Sequence, residues 1–245
     1  MTETGYIHSY TTASAHDGPG LRTVVWTTGC HFRCQYCHNP DTWHLTAGRK
    51  VCAATLVEEL ACYAPFIHAT GGGVTISGGE PLVQAPFTLS VLRGCKARGF
   101  HTALDTNGFL GDCLTDEDLT AIDLVILDLK SYLPETHRLV TGKEVAPVLR
   151  FARRLAALGR PTWVRFVLVP GLTNGQANLE GLATFMVELD NLERVEVLPF
   201  HQLGRTKWDQ LGLSYPLTCT PPASPEAVAR VVALFRAHGL RVVEA

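Results

Sequence analysis

The chain reads as an α/β protein with parallel strands inside and helices outside. Three observations predict this. Apolar, β-branched runs alternate with helical patterns along most of the length, which is the mark of βαβ units. A polar or glycine-rich element follows each strand directly, as it does where reactive groups sit at the C-terminal ends of parallel strands. Finally, 245 residues at 46% hydrophobic and 18% charged suit a single domain, 1–245, whose core needs no disulfide staples.

The elements follow in order. Residues 21–27, β-branched and apolar, form the first strand, with Gly29-Cys30 after it. Residues 55–63 make a helix, with Thr55 as N-cap and Glu58 three residues on in capping-box spacing. Residues 74–77 form the second strand, closed by Gly78-Gly79-Glu80, and 86–98 the next helix. The third strand, 102–105, runs into Asp105-Thr106-Asn107-Gly108, and 115–121 has a helical pattern. Residues 124–128, LVILD, are continuously apolar up to the final aspartate, as in a strand buried on both faces, and Asp128-Leu129-Lys130 closes it. A helix at 146–158 leads to a strand at 163–169 with Pro170-Gly171 behind it. A helix at 178–189 leads to the sixth strand, 195–198, followed by Pro199-Phe200-His201. A last helix at 225–238 and a short strand at 240–243 are structural. Six units are too few for a closed eightfold barrel. A partial (β/α)6 barrel and an open doubly wound sheet both fit, and both put the site on one edge.

Composition excludes several functions. Lys+Arg 21 against Asp+Glu 23 gives a net charge of −2, so no general polyanion surface or nucleic-acid partner is expected. The longest stretch without Asp, Glu, Lys or Arg, 60–79, carries His68 and Gly71-Gly72-Gly73 and does not suit a membrane. The opening Met1-Thr2-Glu3-Thr4 is polar and acidic, unlike a secretory signal. The expectation is a soluble, cytoplasmic monomer.

Eight cysteines are distributed unevenly. Cys52, Cys62, Cys95, Cys113 and Cys219 stand singly and read as packed or surface thiols. Cys30, Cys34 and Cys37 lie within eight residues. In a reducing compartment such a cluster points to metal ligands. The spacing Cys30-x3-Cys34-x2-Cys37 wraps three thiolates around one face of an iron–sulfur cubane and leaves one iron open. Other readings compete on spacing alone. Zinc is one, with His31 or His38 as fourth ligand; c-type haem on Cys34–His38 is another, though it requires export. A thioredoxin-like pair leaves the third cysteine unused, and three buried thiols need no ligand at all.

Cys30-x3-Cys34-x-Tyr36-Cys37 resembles the signature of the radical S-adenosylmethionine (radical SAM) enzymes. Asp17-Gly18-Pro19-Gly20-Leu21-Arg22, Tyr36-Cys37-His38-Asn39, Ser77-Gly78-Gly79-Glu80-Pro81, Leu104-Asp105-Thr106-Asn107-Gly108, Asp128-Leu129-Lys130 and Leu198-Pro199-Phe200-His201 follow in order. Together they are similar to the glycyl-radical-enzyme activases of that superfamily, from residue 5 to about 210. The resemblance implies a partial (β/α)6 barrel of radical SAM type.

It also implies a set of cofactors and roles. Cys30, Cys34 and Cys37 carry a [4Fe-4S] cluster, and the amino acid end of SAM binds the open iron. Tyr36 lies on the adenine side and His38 near the cluster. Gly78 and Gly79 admit the SAM amino group, Asp128-Leu129-Lys130 brings Lys130 to its carboxylate, and His201 contacts bound SAM. Asp105, Thr106 and Asp128 form a monovalent cation site. Arg165, a charge on a buried strand, needs an anionic partner, with the SAM carboxylate as candidate. Asp17 and Gly18 face the entering substrate peptide. The implied partner is a glycyl radical enzyme, pyruvate formate-lyase in the branch resembled most, with flavodoxin or ferredoxin as one-electron donor. Residues 38–70 hold only Cys52 and Cys62, so no second cluster is expected. The alternatives are activation of another glycyl radical enzyme, a small-molecule radical SAM reaction, or a zinc-stapled α/β binding protein.

Overall fold

A computed structural model describes residues 3–244; Met1 and Thr2 of the polar opening, and Ala245, lie outside the described residues. The chain divides into two compact units. The first comprises Met1–His31, Asp41–Thr106 and Leu110–Ile126; the second comprises Phe32–Pro40, Asn107–Phe109 and Leu127–Ala245.

The first unit opens with β1, Thr4–Ser14, antiparallel to β2, Arg22–Thr27. Its other neighbour is β3, Arg49–Cys52, also antiparallel. β3 runs straight into α1, Ala53–Ala61, which buries Leu56, Val57 and Leu60 at helical spacing. The expected capping box fails: Thr55 lies inside α1, and Cys52 at the N-cap gives no side-chain bond. The backbone replaces it, because the Ala53 amide donates to the Glu3 carbonyl at 2.8 Å and satisfies one of the helix's orphan donors. After α2, Ala64–Ala69, come β4, Gly73–Gly78, α3, Ala85–Lys96, and β5, His101–Thr106. β2, β4 and β5 are parallel in register, Arg22 opposite Gly73 and Ile76 opposite Leu104. The order is β3-β1-β2-β4-β5.

The helix expected at 115–121 is a 3-10 turn, Asp118–Ala121. Thr115 and Asp118 close it reciprocally: the Thr115 amide and hydroxyl each reach the Asp118 carboxylate at 2.8 Å, and the Asp118 amide returns to the Thr115 hydroxyl at 3.1 Å. Five residues on, the Asp123 amide already donates to the Thr102 carbonyl, so there is no length for a second turn.

β6, Leu124–Asp128, contributes residues to both units. The second unit continues with α4, Pro134–Thr141, α5, Ala146–Ala157, β7, Thr162–Leu168, α6, Gln176–Val187, and β8, Leu192–Pro199. It ends with α7, Arg205–Gln210, α8, Pro225–Ala237, and β9, Val242–Glu244. β7, β8 and β9 are parallel in that order. One face of β7 is apolar: Phe166 meets Phe235 of α8 edge-on at 6.1 Å. Arg165 stands on the other face beside Glu196 of β8. In neither unit do the parallel strands double back as a doubly wound sheet does at its switch point. They follow chain order, the winding of a partial (β/α)6 barrel.

Candidate active site

In the first unit the parallel strands end on polar residues. Gly29, with φ +91°, turns the chain out of β2, and its amide donates to the Thr42 carbonyl at 2.7 Å. The Cys30 amide donates to the Trp43 carbonyl at 3.1 Å, so the first cysteine is anchored through its backbone. Gly78 has φ +121°, and a Cβ there would stand 2.2 Å from the Thr27 nitrogen; one on Gly79 would stand 2.5 Å from the Gly29 carbonyl oxygen. Both glycines are therefore required by the neighbouring backbone, whatever ligand approaches them. The Ser77 hydroxyl donates to Asp105 at 2.7 Å, and the Thr106 hydroxyl donates to Glu80 at 2.7 Å. Glu80, buried, also accepts the Leu82 amide at 3.0 Å and caps the 3-10 turn Pro81–Gln84.

Asp17 and Gly18 lie elsewhere. They precede Arg22 at the N-terminal end of β2, whereas Gly78 is paired with Thr27 at the other end. Five residues of strand, about 17 Å at ~3.3 Å each, separate the two ends. The loop is built round the fully buried Arg22. Its Nε donates to the Thr75 hydroxyl at 2.6 Å, and its Nη atoms donate to the Pro19, Val74 and His101 carbonyls at 2.8–3.2 Å. Thr75 donates onward to the Asp17 carbonyl at 2.6 Å, and Ser14 donates to the Asp17 carboxylate at 2.5 Å. Burial draws the Arg22 guanidinium down to about 10, against which the Asp17 charge acts.

In the second unit Cys34 and Cys37 begin and end one closed turn, the Cys37 amide donating to the Cys34 carbonyl at 3.0 Å. Tyr36 between them is buried, and its hydroxyl has no hydrogen-bond partner. The Lys130 ammonium lies 5.7 Å from the centre of the Tyr36 ring and 2.7 Å from Asp128. Burial alone would draw Lys130 down; the Asp128 charge, with Tyr36 and Cys34, outweighs it and holds the ammonium above its ordinary range. Burial pushes the Tyr36 phenol up, so it stays a neutral hydroxyl. The His38 and His201 rings lie with centres 4.4 Å apart and planes tilted by 31°, and Leu129 donates its amide to the Arg165 carbonyl at 3.0 Å. Arg165 has found its anion within the chain: Nε donates to the buried Glu196 at 2.6 Å, and Arg194 pairs with the same carboxylate.

Several residues here escaped the sequence reading. Phe32, in the gap between the first two cysteines, is a fully buried anchor; its signal was an aromatic between the polar His31 and Arg33. Trp208 donates its indole N–H to the Cys37 carbonyl at 2.8 Å, and Lys207 donates to Asn39 at 2.9 Å, so α7 holds the far end of the cysteine loop. Glu196 carried no signal, because its role depends on strand register.

The family model described as Radical SAM superfamily matches residues 24–179. The chain belongs to the radical SAM superfamily. Its span covers residues of both units. Among curated radical SAM relatives, the pyruvate formate-lyase-activating enzyme of Staphylococcus epidermidis is 43% identical over 91% of this chain and 92% of its own length. The pyruvate formate-lyase 1-activating enzyme of Escherichia coli K12 is 40% identical over 99% of this chain and all of its own. Among solved structures, a radical SAM methyltransferase from Sphaerobacter thermophilus aligns over 97% of this chain and 77% of its own, with a TM-score of 0.63 at 16% identity, which speaks to the fold alone.

Radical SAM enzymes work with a [4Fe-4S] cluster and S-adenosylmethionine, and the residues of this chain fit both. Three thiols of one short loop are the donor set iron prefers. Beside two of them lie a buried ammonium, paired with Asp128, and the buried Tyr36 hydroxyl, which meets no hydrogen-bond partner.

Proposed function

We propose that this chain is the activase of pyruvate formate-lyase. The two units serve as one radical SAM domain, acting as a monomer in the cytoplasm. When bound, the [4Fe-4S] cluster supplies one electron to SAM, which parts into methionine and a 5′-deoxyadenosyl radical that takes a hydrogen atom from a partner glycine. Flavodoxin or ferredoxin supplies the electron. The observation that carries the reading is the Tyr36–Lys130 pair, a buried cation over the aromatic of Cys34-x-Tyr36-Cys37.

Each residue then has work to do. Cys30, Cys34 and Cys37 would hold the cluster, whose remaining iron would be open to the amino acid end of SAM. Lys130, fixed by Asp128 and carried with Leu129, neutralises that carboxylate. Arg165, whose Nε donates to Glu196, is the second candidate for the same carboxylate. The backbone at Gly78 and Gly79 meets the SAM amino group. Tyr36 would take the adenine side, His38 would stand near the cluster, and His201 would contact bound SAM. Asp105, Thr106 and Asp128 would take a monovalent cation, which would offset carboxylates at strand ends. Asp17 and Gly18 receive the partner peptide on a loop already set by Arg22.

The test is anaerobic. Reconstituted protein, SAM and reductant are incubated with and without pyruvate formate-lyase, and 5′-deoxyadenosine and the glycyl radical signal are measured. Strong stimulation by the lyase, with a radical on the lyase, is expected. 5′-Deoxyadenosine that ignores the lyase overturns the partner, and none from iron-loaded protein overturns the mechanism.

A further inference from the structure

We infer that the last turn of α4 is a splint for the cysteine loop, with Phe32 and His137 as the positioning pair that sets it. The inference rests on the reading of that loop as the cluster site.

The final carbonyls of a helix have no partner within it. In α4 they are taken by the cysteine loop. The Arg33 amide donates to the Thr141 carbonyl at 2.9 Å, the Gln35 amide to Val140 at 3.0 Å, and the Gln35 side-chain amide to Leu139 at 2.8 Å. Three successive carbonyls thus fix the residues on either side of Cys34. The helix end is itself locked: Gly142, with φ +76°, donates to the Arg138 carbonyl at 2.8 Å in a left-handed cap.

Beneath this ladder sits His137, fully buried. Its Nδ1 lies 2.8 Å from the Lys143 carbonyl beyond the cap, which assigns the proton to Nδ1 and leaves Nε2 as an acceptor that meets no donor. A buried histidine with half its polar capacity unmet is a costly way to fill space. Its ring is used as a platform: Phe32 stands edge-on to it, centres 5.6 Å apart and planes at 82°, and edge-on to Phe109, also at 5.6 Å. The cysteine loop is thus clamped by backbone bonds at Arg33 and Gln35 and by an aromatic wedge at Phe32. Its shape is set before iron arrives.

Residues that orient metal ligands typically change metal retention by about 10- to 100-fold when replaced. The proposal is tested on reconstituted full-length protein with Phe32→Leu, His137→Asn (which keeps a donor for Lys143) and the double variant. The readouts are iron and sulfide released to a chelator over time, the spectrum of the reduced cluster, and the thermal midpoint of iron-free protein. Each single variant is expected to lose iron about 10-fold faster, with iron-free midpoints near that of the parent. The double variant is expected to be no faster than the worse single, because the two rings act as one contact. Parent-like retention, losses that multiply in the double, or losses that track a fallen iron-free midpoint overturn the splint. Cys34→Ser serves as reference: if it keeps its iron, the cluster site itself is misassigned, and if it loses iron while Phe32→Leu does not, the splint alone fails.

Discussion

Lys130 shows how one residue is held ready by its surroundings. Its ammonium is nearly buried, a position that ordinarily drives a lysine toward neutrality, yet Asp128 at 2.7 Å keeps it charged. Asp128 remains partly open to water, so the pair is bound by one side only. Lys130→Met retains the stem and removes the charge. SAM affinity is expected to fall at least ~10-fold at unchanged iron content, measured by equilibrium dialysis; equal affinity takes Lys130 out of the site. Arg165 teaches the complementary point. That a cation on a buried strand needs an anion follows from its position, but that Glu196 supplies one follows only from the register of β7 against β8. Tyr36 was legible from spacing, whereas Phe32 was not, because nothing local distinguishes a loop aromatic that binds a ligand from one that binds a helix.

Among the elements, the sharpest demand falls where β4 ends. Gly78→Ala places a Cβ 2.2 Å from the Thr27 nitrogen at a φ of +121°. The variant is expected to lose at least ~2 kcal/mol of stability, read as a fall in thermal midpoint; a parent-like midpoint shows that the strand end can shift. Its own sheet requires this glycine before any ligand does. β6 was legible because a strand covered on both faces is nearly all apolar, and the other parallel strands because each holds a short apolar or β-branched run. β1 and β3 were missed for the opposite reason: they are half exposed and interleave polar residues without clean alternation. The capping box in α1 misled because the backbone of Glu3 already fills that role, a partner fifty residues away. α4 and α7 are short and mostly polar outside, so their periodicity is weak. Yet these two helices hold the cysteine loop at its two ends.

At the scale of the whole molecule, stability comes from apolar cores in each unit, and the cysteine loop is braced by protein groups. Chelating iron from loaded protein is therefore expected to leave the far-ultraviolet circular dichroism unchanged and to lower the midpoint by no more than about 4 °C, the shift that ~1–2 kcal/mol gives in a chain of this size. A collapse on chelation marks the metal as a structural staple instead. Motif order and the family match cover both units, which is why the function was legible. The outermost strands add a last consequence. β3 has four residues, with Arg49 and Lys50 facing solvent, and β9 has three. Brief, charged borders make poor templates for stacking copy upon copy. Spoilage of iron-free material on the bench should therefore proceed through air reaching the surface thiols Cys62 and Cys219, and a reducing additive should protect stored material better than dilution.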